Sequence, residues 1–210
     1  MANTRLGTII LLNGCMSAGK TSIAKAIQRT FEAPYLHVGI DLFWLEIFPS
    51  EWVGAATNSV QEIPIEATSP PKIAQVNQPF ANFFISGLHH TVAALASMGH
   101  NVVVDHVLTQ ASYVTDILAL WRPFPVWLVG VSCSLEMVRQ RASARADRAW
   151  WPSYLPVATW VFDEVHKHTQ GIYDIEVDTS RLTPDECAFQ IKHMLDERVT
   201  PSAFKQLASL

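Results

Sequence analysis

Gly14, Gly19, Lys20 and Thr21 fit the spacing G-x-x-x-x-G-K-[ST] within TIILLNGCMSAGKTS, Thr8 to Ser22. Backbone N–H groups of such a loop, here Gly14 and Ser17, Ala18, Gly19, Lys20, Thr21 and Ser22, form a nest for anions. The N-terminus of a following helix adds partial positive charge. The expected ligand is a nucleoside triphosphate such as ATP. Lys20 would reach its β- and γ-phosphates, and Thr21 would offer a hydroxyl to Mg²⁺. The flanks agree with this chemistry. Thr8 to Asn13 is an apolar run that reads as a buried parallel strand, and Ser22 to Thr30 has helical spacing at Ile23, Ala24 and Ile27.

Three further features carry chemistry. Asp105 follows Val102, Val103 and Val104, the position of an acid that holds Mg²⁺ directly or through water. Asp41 ends the YLHVGI run and would face the phosphates. Phosphoryl transfer to an alcohol needs an acceptor for its proton there. Either acid could instead cap the segment that follows it. Arg141, Arg145 and Arg148 are spaced four and three apart, so a helix would put them on one face. Guanidinium groups clamp the charge that spreads over a transferring phosphoryl; elsewhere such a row is a solvated face.

The elements that must position these residues alternate along the chain. Strands are expected at Tyr35–Ile40, Asn101–His106, Val126–Cys133 and Tyr173–Asp178, after the first at Thr8–Asn13. Helices are expected at Pro79–Met98, closed by Gly99, and at Ala111–Trp121, Ser134–Ala149 and Leu155–His168. A last helix starts at Thr183–Pro184 with Glu186 in the capping-box position and runs to about Arg198. The tail to Leu210 reads as weakly ordered. Five strands alternating with helices imply an α/β fold, a five-stranded parallel sheet with helices on both faces. Ligands then gather beyond the carboxyl ends of the strands. Residues 1–210 read as a single domain. Within it, 42–79 is a substrate-region insert and 134–168 a lid region.

Composition narrows the partners. With 15 Lys and Arg against 19 Asp and Glu, the net charge is −4, which leaves no basic surplus for nonspecific nucleic-acid binding. The apolar stretch Phe80–Met98 contains His89 and His90 and reads as a buried helix, not a membrane span. Cys15, Cys133 and Cys187 form neither a disulfide framework nor a metal spacing, which suits a reducing cytoplasm. The pairs His89–His90 and His166–His168 also lack a zinc arrangement and read as packing or surface residues. From Asp41 to Pro71 there is no Lys, Arg or His, whereas Glu46, Glu51, Glu62 and Glu66 stand among Phe43, Trp44, Phe48 and Trp52. An acidic, aromatic mouth favours a neutral or cationic substrate with an apolar body.

Taken in order, GCMSAGKTS, HVGID, VVVDHV, VGVSC followed by RASARADR, and VHKHTQGIYDIEVDT resemble the chloramphenicol phosphotransferase family of small kinases. The resemblance spans about Thr8 to Met194. It implies a five-stranded P-loop kinase with a helical lid, and ATP-dependent phosphorylation of a hydroxyl on a small molecule, an antibiotic being the expected case. By position it implies a base at Asp41 and lid arginines at Arg141, Arg145 and Arg148. The chain departs from the pattern at Cys15–Met16, at Thr21 in place of serine, and at His106 where a second acid is usual. It also departs in the Trp-containing segment between Arg148 and Val165, and the region Trp44 to Gln78 is not similar. Reaction type therefore carries over, but chloramphenicol as substrate does not follow. Two other readings stay open, a metabolic or toxin-type kinase acting on a sugar nucleotide and a nucleotide-binding regulatory ATPase. The choice of ATP or GTP and a homo-oligomeric state are likewise open.

Overall fold

Strand β1, Ile9–Asn13, is the centre of the fold because both of its faces are apolar. Ile9 and Leu11 enter one core, Ile10 and Leu12 the other, and none of the four is solvent-exposed. Each such burial contributes about 1.5–3 kcal/mol of transfer free energy. A computed structural model describes residues 5–47, 78–145, 154–197 and 200–210. It contains β2 at Tyr35–Gly39, β3 at Asn101–His106, β4 at Val126–Ser132 and β5 at Ile175–Asp178. All pairings are parallel, in the order β2-β3-β1-β4-β5.

The helices are α1 at Lys20–Thr30, a short α2 at Ile40–Leu42, α3 at Gln78–Ser97 and α4 at Ala111–Trp121. They continue with α5 at Leu135–Ser143, α6 at Tyr154–Glu164, α7 at Pro184–Asp196 and α8 at Ala203–Leu207. One core joins Ile10, Leu12, Val103, Val129 and Val131 to α1, α6 and α7 through residues such as Ile23, Ile27, Val161 and Ile191. The other joins Ile9, Leu11, Val102, Val104 and Leu128 to α3, α4 and α8 through Leu88, Ile117 and Phe204. This is the helix-covered parallel sheet that the alternation of elements implies.

Local signals explain several boundaries. The Thr183 hydroxyl accepts from the Glu186 N–H, the Glu186 carboxylate accepts from the Thr183 N–H, and Pro184 follows the cap, so α7 starts where expected. Gly99 follows α3 at φ +89°, in the left-handed region where a side chain is strained. Ser134 caps α5 through the Met137 N–H.

Other expectations are corrected. Helix α5 ends at Ser143, six residues short of Ala149, with Ala144 as its C-cap. Arg145 therefore lies beyond the helix and shares no helix face with Arg141. Helix α6 ends at Glu164 and the chain turns through 165–171 in place of a continued helix to His168, with Gln170 and Gly171 both at positive φ. Phe43–Ile47 is one π-helical turn, and Phe43 is a core residue packed on Phe84 and Gly87, not part of an aromatic mouth. The rest of the insert up to residue 77, with Phe48, Glu51, Trp52, Glu62 and Glu66, lies outside the described residues, as does Arg148.

The tail at 200–210 is packed against the sheet, where weak order was expected. The Asp174 carboxylate accepts from the backbone N–H groups of Ser202 and Ala203 at 2.7 and 3.0 Å, and its other oxygen accepts from the Leu128 N–H. Helix α8 is thereby tied to β4, and Ala203, Phe204 and Leu207 close the second core. Phe204 is only 7% exposed, so Phe204→Ala should lower unfolding free energy by about 3 kcal/mol in urea titration. Phe189, 66% exposed on α7, is the control, and Phe189→Ala should stay within about 0.5 kcal/mol of wild type.

Candidate active site

The loop between β1 and α1 is built for close approach. A Cβ on Gly14 would stand 2.4 Å from the Val131 carbonyl oxygen, so only glycine lets the loop leave β1 against β4. Ser17 at φ 61° and Gly19 at φ 98° turn the backbone into the nest conformation. Lys20 begins α1, is 6% exposed, and donates from Nζ to the Gly14 and Cys15 carbonyls, both at 2.9 Å. Cys15 is buried beside it, and burial pushes its thiol up to about 11, so it stays protonated and unreactive.

Asp105 stands at the carboxyl edge of β3 and faces α1. Its Oδ2 accepts from the Thr21 hydroxyl at 2.5 Å, so the structure brings the two expected metal-side oxygens together. Burial alone would raise the Asp105 pKa. The His37 imidazole, the Lys20 ammonium and the Thr21 hydroxyl outweigh it and hold the carboxyl below its ordinary value. His37 Nε2 lies 3.6 Å from Asp105 Oδ2, beyond hydrogen-bond distance, and has no hydrogen-bond partner among the described residues. His37 is the first of the HVGID residues, so the segment was visible in the sequence although its role was not.

Asp41 lies in the first turn of α2, whose N-cap is Gly39. It is therefore not the capping residue of that helix. Its carboxylate is half-exposed and stands 3.7 Å from Arg145 Nη2. Arg141 has a different setting. It donates from Nη1 to Thr179 Oγ1 at 3.1 Å and from Nη2 to the Thr179 carbonyl at 2.8 Å. Thr179 Oγ1 in turn donates to the Ala18 carbonyl at 2.7 Å, so Arg141 and Thr179 brace the phosphate loop from β5. Thr179 closes the motif YDIEVDT, the signal that could have picked it out.

Asn13, the last residue of β1, was also missed. Its Nδ2 donates to the Val165 carbonyl and to the Tyr173 hydroxyl, and its Oδ1 accepts from the Leu108 N–H, all at 2.9 Å. The Tyr173 hydroxyl stands 2.6 Å from His166 Nδ1. Asn13 thus ties the strand before the phosphate loop to the turn after β3 and to the segment after α6.

A parallel sheet in this order, a lysine-bearing phosphate loop and an acid at the end of the neighbouring strand define a P-loop kinase. Solved structures agree with that fold. APS kinase CysC from Mycobacterium tuberculosis, in complex with AMPPNP and APS, superposes at TM-score 0.56 and 14% identity, over 91% of this chain and 98% of that one. Shikimate kinase from Acinetobacter baumannii, in complex with shikimate, gives 0.57 and 14%, over 94% and 97%. The sequence profile of the chloramphenicol phosphotransferase-like proteins matches residues 7–196, and the chain belongs to that family. A Mycobacterium tuberculosis (strain H37Rv) protein named "Putative O-phosphotransferase" is 29% identical over 212 aligned residues, covering 99% of this chain and 90% of the relative. The chain is thus a phosphotransferase of the kinase type. No helix among the described residues is long and apolar enough to cross a membrane.

Thr179→Val keeps the shape but removes the hydroxyl that holds Ala18 and receives Arg141. It should cost about 1–3 kcal/mol of stability in chemical denaturation, because a buried carbonyl loses its donor. Nucleotide titration should show weaker binding in the same variant.

Proposed function

We propose that the protein is an ATP- and Mg²⁺-dependent O-phosphotransferase that moves the γ-phosphate to a hydroxyl of a small neutral or cationic molecule, an antibiotic in particular, in the cytoplasm. The observation that carries the reading is the Asp41–Arg145 pair, 3.7 Å apart at the carboxyl edge that also bears the phosphate loop. A proton acceptor and a guanidinium side by side suit transfer to an alcohol. A protein that only senses a nucleotide needs no base for an acceptor hydroxyl.

The residues present fit a magnesium ion. Thr21 and Asp105 offer a hydroxyl and a carboxylate, hard oxygen donors 2.5 Å apart, and Asp105 is held ionised by its surroundings. When bound, Mg²⁺ supplies charge neutralisation on the phosphate oxygens. The protein's own residues do the rest. Lys20 holds its charge at the phosphate end of the loop, and the backbone of Gly14 and of Ser17 to Ser22 cradles the anion. Asp41 accepts the proton of the substrate hydroxyl and orients that oxygen. Arg145, with Arg148, stabilises the charge on the phosphoryl as it moves, while Arg141 holds the loop through Thr179.

The test is ATP consumption with a panel of hydroxylated compounds, run on the wild-type protein and on Asp41→Asn. Neutral and cationic compounds should be phosphorylated, and Asp41→Asn should lower the rate by about 10²–10⁴ while ATP still binds. Full activity in Asp41→Asn with unchanged substrate affinity would remove both the base role and the orienting role. Acceptance of phosphorylated or carboxylated compounds alone would favour a sugar-nucleotide substrate. Arg145→Ala should reduce kcat more than it weakens nucleotide binding, and Arg145→Lys should recover little because lysine lacks the planar fork. Weaker ATP binding at unchanged kcat would make Arg145 a ground-state contact.

A further inference from the structure

His106 follows Asp105 on β3 and points to the opposite face of the sheet, toward α3 and α4. It is fully buried, as is His89 of α3. His106 Nδ1 accepts from the Val107 N–H at 2.8 Å. The two Nε2 atoms, of His106 and His89, stand 2.9 Å apart. His89 Nδ1 stands 2.6 Å from the Asp116 carboxylate of α4. Tyr113 meets both rings edge-on, and Trp121 meets His89 edge-on while its Nε1 donates to the His89 carbonyl. The ring planes are therefore held.

Proton counting leaves one arrangement. A backbone N–H can only donate, so His106 Nδ1 carries no proton. A neutral His106 then has its proton on Nε2 and donates to His89 Nε2. A neutral His89 has its proton on Nδ1 and donates to Asp116. Every donor in the chain meets one acceptor.

We propose that Val107, His106, His89 and Asp116 form a one-way hydrogen-bond relay that sets the turn after Asp105, which makes His89 and Asp116 positioning residues for the Asp105 carboxylate. The proposal rests on the reading of Asp105 as the metal-side acid. The direction of the relay is what couples its ends. Without an acceptor at position 116, the His89 Nδ1–H is buried and unpaired. Moving its proton to Nε2 sets it against the His106 Nε2–H. Moving that proton in turn sets His106 Nδ1–H against the Val107 N–H. The conflict arrives two residues from Asp105. The next amide, Leu108, donates to Asn13 Oδ1, so this turn is fixed by side chains from β1 and β3.

Asp116 is one-third exposed, so its variants should fold. Imidazole ¹⁵N–¹H spectra of the whole labelled protein should show His106 as the Nε2–H tautomer and His89 as the Nδ1–H tautomer. A charged ring or the reverse assignment would overturn the relay. Asp116→Asn keeps a carbonyl acceptor and should retain both tautomers, with kcat within about twofold of wild type. Asp116→Ala should shift both tautomers and speed Val107 amide exchange by about tenfold. It should also lower kcat for ATP turnover by about tenfold at unchanged KM for the acceptor substrate. Unchanged tautomers or unchanged Val107 exchange in Asp116→Ala would refute the relay. Changes in both with an unaltered kcat would refute its role in positioning Asp105. Failure of the functional reading is a separate result, absence of ATP turnover in the wild-type protein, and the spectra and exchange still decide the relay.

Discussion

A buried ammonium organises this molecule. Lys20 is almost fully enclosed, and a cation removed from water costs several kcal/mol unless oxygens replace its hydration. The Gly14 and Cys15 carbonyls are those oxygens, and they are available only because Gly14 leaves β1 in contact with Val131. The same charge reaches across to Asp105, helping to keep that carboxyl ionised, and it adds to the effects that keep His106 neutral. Phosphate loop, acidic strand end and neutral imidazole are thus parts of one electrostatic arrangement.

The carboxyl edge of the sheet is divided between its two faces. On the α1 face lie Thr21 and Asp105, the oxygens suited to a hard cation. On the opposite face lie Asn13 and His106, whose hydrogen bonds go to the Leu108 and Val107 amides. The alternation of a β-strand makes this division automatic, since Asp105 and His106 are consecutive. One face presents chemistry, and the other holds the backbone that presents it.

The arginines divide in a similar way. Arg141 is committed to Thr179 and so to the loop's Ala18 carbonyl. Arg145, two residues past the end of α5, reaches Asp41 instead. A helix running on to residue 149 would have kept both on one face. Its end at Ser143 lets the chain turn and sends the second guanidinium toward the strand-end acid.

Much of this was legible in the residues alone. The phosphate-loop spacing, the apolar β1, the valine run before Asp105 and the capping box at Thr183 are local patterns with local causes, and each sits where it was expected. So does the parallel five-stranded sheet, because both-face burial leaves a continuous apolar run in each central strand. What tertiary structure decided is which distant groups share hydrogen bonds. Nothing near Asp174 in sequence announces that it caps a helix starting at Ala203, and nothing near His89 announces an imidazole partner on β3. Asn13 looks like an ordinary strand end until Val165, Tyr173 and Leu108 are brought to it. Periodicity reports which side of an element is buried. It is silent on which polar groups meet inside, because that depends on how helices and strands far apart in sequence stack against each other.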